Sequence, residues 1–115
     1  MFNLFKKKDD IIKDPIRPSD ARPDVSGPGL MVIEDVFSIT GRGTVVTGRI
    51  GSGSFRIGDS VRVTRESGEV INTAIIGIEA FRKALDVATA GDNVGLLLRD
   101  VERNQIGRGD RIEIA

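Results

Sequence analysis

The sequence predicts an all-β protein, a small closed antiparallel barrel of about six strands. Three observations predict it. Short runs rich in Val, Ile and Thr recur from Leu30 onward, and such residues suit a pleated, half-buried surface. Glycine-containing turns separate these runs at the spacing of a sandwich or barrel. Several runs alternate apolar and polar residues, and no segment carries a convincing long helix.

The first element is the stretch IEDVFSITGRGTVVTGRI, Ile33 to Ile50, which reads as a hairpin. Its flanks Ile33–Ile39 and Thr44–Ile50 are β-rich. Its turn Thr40-Gly41-Arg42-Gly43 has two glycines to supply positive φ. Gly51-Ser52-Gly53-Ser54 follows, and Phe55–Asp59 reads as a turn before a strand. In Ser60–Arg65, Val61 and Val63 face one way while Arg62 and Thr64 face the other. Glu66-Ser67-Gly68-Glu69 is a second hairpin turn, and Val70–Ile78 is a long strand. Phe81–Val87 reads as a loop crossing to the strand Asn93–Val101. Glu102–Ile106 looks like a short helical turn, and Arg111–Ile114 is a final alternating strand.

Residues 1–29 contrast with this body. All four prolines lie there, and charges alternate in sign from Lys6-Lys7-Lys8 to Asp24. Such a stretch buries too little apolar surface to offset ordering entropy, so a disordered leader is expected before a barrel over residues 30–115. Met1, Phe2, Leu4 and Phe5 beside the lysines make too short a segment to anchor a chain to a membrane alone.

Composition narrows the function. The chain has 115 residues, enough for one modest core, with 17 acidic and 17 basic side chains. No global field therefore attracts nucleic acid or anionic lipid, and any RNA contact must be local. Cysteine and histidine are absent, which removes disulfides, thiolate nucleophiles, the usual general base and the commonest metal ligand. No cofactor is implied. The chain has no bilayer-length apolar run and no secretory signal, so the cytoplasm is the expected compartment.

Strict alternation along each strand leaves an outward set that is not simply polar. Ile33, Asp35, Phe37 and Ile39 share one face, opposite Val32, Val36 and Ser38. Val45 and Thr47 oppose Val46, Gly48 and Ile50, and Leu97 opposes Val94, Leu96 and Leu98. Gly77 and Glu79 oppose Ile76 and Ile78. An outward group of Phe37, Ile39, Val45 and Leu97 rimmed by Asp35 and Glu79 suggests a binding surface. The alternative is that bulges swap the faces and these residues are ordinary core.

The opening hairpin resembles the start of the second domain of bacterial elongation factor Tu. GIEAFRKALDVATAGDNVGLLLRDVERNQIGRGD, Gly77 to Asp110, is similar to that domain's second half. The resemblance implies the translation-factor β-barrel, a domain that helps hold the aminoacylated 3′ end of transfer RNA. It implies an apolar pocket for the terminal adenine at Ile39, Val45 and Leu97. It implies a ribose-hydroxyl acceptor at Glu79, with Arg82 nearby. The backbone at Phe81 and Asn93 would hold the α-amino group, and the amino-acid side chain would lie near Glu34, Asp35, Phe37 and Thr47. The chemistry is consistent, since unpaired RNA ends are read by packing and edge contacts.

Other family parts have no counterpart in the sequence. There is no GxxxxGKS or GxxxxGKT phosphate loop, and Gly41-Arg42-Gly43 joins two strands instead of opening a helix. A stand-alone barrel without the GTPase and third domains is expected. Three functions follow. The first is a non-enzymatic module for the aminoacylated or bare 3′ end of transfer RNA, weak by itself because the other domains' contacts are missing. The second is a module that docks a translation-related protein or the ribosome. The third, an enzyme using Asp or Glu, is disfavoured because no base–nucleophile pair is apparent.

Overall fold

The computed structural model describes residues 25–115, so most of the expected leader lies outside the described residues. The strands are β1 (Leu30–Val32), β2 (Asp35–Ile39), β3 (Gly43–Ser52), β4 (Ser54–Arg56), β5 (Ser60–Thr64), β6 (Val70–Ala80), β7 (Lys83–Leu85), β8 (Val87–Thr89), β9 (Asn93–Leu98) and β10 (Arg111–Ile114). A 3-10 turn spans Arg103–Gln105, within the expected helical turn. The ring β1–β10–β5–β6–β9–β3 is antiparallel throughout and closes where β3 pairs with β1. The protein is therefore a closed six-stranded barrel, with β2 laid along β3 and β7 along β6. β4 and β8 form a separate two-stranded sheet.

Alternation explains the core. Thr44, Val46, Gly48 and Ile50 of β3 turn inward, as do Val61 and Val63 of β5, Leu96 and Leu98 of β9 and Ile112 of β10. Phe55 from β4 plugs the same cluster. Gly48 is where β1 approaches closely: a Cβ there would lie 2.5 Å from the Val32 carbonyl oxygen.

Two departures from strict alternation move residues between faces. Ile33 was expected beside Asp35 and Phe37 but is fully buried, whereas Val32 is half-exposed. The reason is a break in the first strand. Ile33 donates to the Asp110 carbonyl and accepts from the Gly109 amide, both at 2.8 Å, so its backbone leaves the hairpin ladder and the side-chain phase resets before β2. In β6 the register slips between Ile75 and Gly77, a β-bulge. Ile76 was expected inward with Ile78. Ile75 fills the core instead, and Ile76 is exposed.

Three element assignments also change. Part of the turn expected at Phe55–Asp59 is β4, held by its pairing with β8. The loop expected over Phe81–Val87 contains β7, which folds back on β6 through a two-residue turn at Phe81 and Arg82. The strand from Asn93 ends at Leu98, because Asp100 takes a positive φ of 53°. Among the described residues no helix is long and apolar enough to cross a membrane.

Candidate functional site

Strand register assembles the outward set on one face. One row across the sheet runs Phe37–Val45–Leu97–Gly77, from β2 through β3 and β9 to β6. The next runs Asp35–Thr47–Gly95–Glu79–Ala84. Ile39 pairs with Gly43 at the end of the hairpin. Side chains two apart on a strand share a face, so these rows present Asp35, Phe37, Ile39, Val45, Thr47, Glu79 and Leu97 together. The bulge at Ile76 is what keeps Gly77 and Glu79 outward while Ile75 and Ile78 point in.

Leu97 is only 9% exposed, yet it lies outside the interior cluster. It forms the floor of an outer dimple, also lined by Ile39, Val45 and Glu79. Glycines open this dimple. A Cβ at Gly43 would come within 3.6 Å of Leu97, one at Gly77 within 3.4 Å of Leu97, and one at Gly95 within 3.1 Å of Val45. The dimple holds about 20 Å³, roughly the space of one water. A planar group would lie across its mouth instead of sinking into it. Arg42 reaches from the hairpin tip to Glu79, with Nη1 at 3.4 Å from Oε2. Both side chains are about half exposed, so the pair contributes little to stability.

A second hollow of about 270 Å³ adjoins the dimple, and Glu34, Thr47, Phe81 and Asn93 line it. Glu79 and Gly95 border both, so the carboxylate stands at the seam between an apolar and a polar depression.

The structure brings Ile39, Val45, Glu79 and Leu97 together at the dimple and Glu34, Thr47, Phe81 and Asn93 at the hollow. Phe37 lies in the Val45 row, exposed beside the dimple. Asp35 lines a different depression, of about 310 Å³, with Arg103 and Arg108. Arg82 lines neither site and is exposed at the β6–β7 turn. Arg42, Gly77 and Gly95 were missed as site residues. Outward glycines within strands were the available signal, since strand glycine often marks close approach of another group. Another depression, of about 400 Å³ around Ser38, Thr44 and Arg103, lies away from the predicted set.

Among the described residues no group of His, Cys, Asp or Glu is placed to hold a metal ion. The family model described as elongation factor Tu domain 2 matches residues 43–113, more than half of the chain. That domain is a non-catalytic barrel, and the matched residues include β3, β6 and β9, which carry most of the face just described. The chain belongs to the elongation factor Tu domain 2 family.

Proposed function

We propose that this barrel is a binding module for the 3′ end of transfer RNA, aminoacylated or bare, acting in the cytoplasm beside translation. The observation that carries the reading is the position of Glu79, shared by an apolar dimple and a polar hollow on one face. The terminal adenine lies across Ile39, Val45 and Leu97, and the Glu79 carboxylate accepts from the ribose hydroxyl, with Arg82 nearby. The ester's α-amino group sits at the backbone of Phe81 and Asn93. The amino-acid side chain extends toward Glu34, Thr47, Asp35 and Phe37. Unpaired RNA ends are read by packing against the base and by hydrogen bonds to base edges and ribose hydroxyls, which this arrangement can offer.

Docking of a translation-related protein or the ribosome is the second reading. Val32, Ile57 and Val70 favour it, since they are exposed and line neither the dimple nor the hollow. Fluorescence anisotropy with a labelled CCA-ended oligonucleotide separates the two. The first reading expects weak, saturable binding that Glu79→Ala lowers about tenfold, the loss expected for one hydrogen bond to a charged group. Binding equal in Glu79→Ala and the parent would sink it.

A further inference from the structure

The turn between β6 and β7 is two residues long, because Ala80 pairs directly with Lys83. Both of its residues have positive φ, 53° at Phe81 and 66° at Arg82. Such turns ordinarily use Asn, Asp or Gly, and a bulky residue in this region is a strained outlier. Packing does not offset the strain, because Phe81 is 90% exposed. Other glycine-bearing turns in the chain take positive φ at glycine, as at Gly41 and Gly68. A strained, exposed aromatic side chain points to a role outside the fold.

Its location indicates the role. Phe81 is two residues beyond Glu79 and borders the same hollow as Glu34, Thr47 and Asn93. A flat apolar ring held clear of the surface beside a carboxylate acceptor is suited to stacking on a planar ligand, and unpaired bases offer such a face whatever their sequence.

We propose that Phe81 is a stacking platform for an unpaired nucleobase of the RNA end, next to the base that lies on the dimple. The proposal rests on the reading of this face as an RNA-end site. The ring adds affinity without sequence preference, and the tight turn holds it at a fixed height above the sheet.

The full chain contains no Trp, so Phe81→Trp introduces a single indole reporter. Titration with an unacylated CCA-ended single strand should quench its emission and leave affinity within about twofold of the parent. Phe81→Asn suits the positive φ and should melt at or above the parent temperature while losing about tenfold in affinity. Phe81→Leu, apolar but without a ring face, should lose affinity similarly. An abasic site at one position of the strand should abolish the quenching. Because the RNA is unacylated, an amino-acid side chain cannot supply the stacking partner. Glu79-dependent binding with no quenching and no loss in Phe81→Asn overturns this proposal and leaves the RNA-end reading standing. Absence of any binding overturns both.

Discussion

Asp110 is a buried polar side chain that ties two loops of the barrel together. It is 3% exposed, and three donors reach its carboxylate. Arg65 Nε donates to Oδ2 at 3.1 Å, the Gly107 amide to Oδ2 at 2.7 Å and the Glu66 amide to Oδ1 at 3.2 Å. One side chain thus joins the β5–β6 turn to the loop before β10, and its own carbonyl accepts from the Ile33 amide. A buried acceptor with several donors is costly to remove, because the donors are left without a partner. Arg65 is partly exposed and can turn to water, which limits the loss. Asp110→Ala should therefore lower stability by about 2–3 kcal/mol in urea denaturation. A change below about 0.5 kcal/mol, the range of an ordinary surface substitution, would show that the loop is held otherwise. Glu79 is the opposite case. It is half exposed and its ion pair with Arg42 is long, so the pair adds little to stability.

At the scale of elements, the bulge in β6 decides which residues form the site. Without it, Gly77 and Glu79 would not share a face with Leu97 while Ile75 and Ile78 both reach the core. Ile75→Ala should cost about 2–5 kcal/mol, as a buried large-to-small change does. Ile76→Ala should stay within about 0.5 kcal/mol. Paired thermal or chemical melts check this, and the reverse order would mean that the bulge lies elsewhere. The same bulge limited what could be read from the chain. Period-two patterning locates β5 and β10, because each runs without a register shift against its partners. Alternation cannot register one extra residue in β6, so it placed Ile76 inside. It likewise cannot see that Ile33 leaves the ladder for the Gly109–Asp110 loop. The β6–β7 hairpin was hidden for another reason: its turn lacks the glycine or asparagine that signals one. The outward apolar set on β2, β3 and β9 was legible. Arg42 was not, since its partnership with Glu79 spans 37 residues and exists only in the folded chain.

At the scale of the whole molecule, closure of the barrel makes the site. Residues from four strands, far apart in sequence, reach one face only because β9 pairs with both β3 and β6. Closure also leaves no open edge along the ring, so the face is presented on a stiff frame. The full chain balances 17 acidic against 17 basic residues, so it has no long-range pull on RNA. On the proposed reading, recognition rests on local contacts at one face, and an RNA end should perturb that face alone. Amide NMR of the isotope-labelled full chain, titrated with a short CCA-ended RNA carrying a stable aminoacyl mimic, tests this most directly. Shifts should concentrate at Glu79, Phe81, Asn93, Gly95 and Leu97. Arg62 and Glu113, paired at 2.9 Å elsewhere on the barrel, should stay unmoved. No shift at the Glu79–Leu97 face, or shifts centred on Arg62 and Glu113, would contradict it.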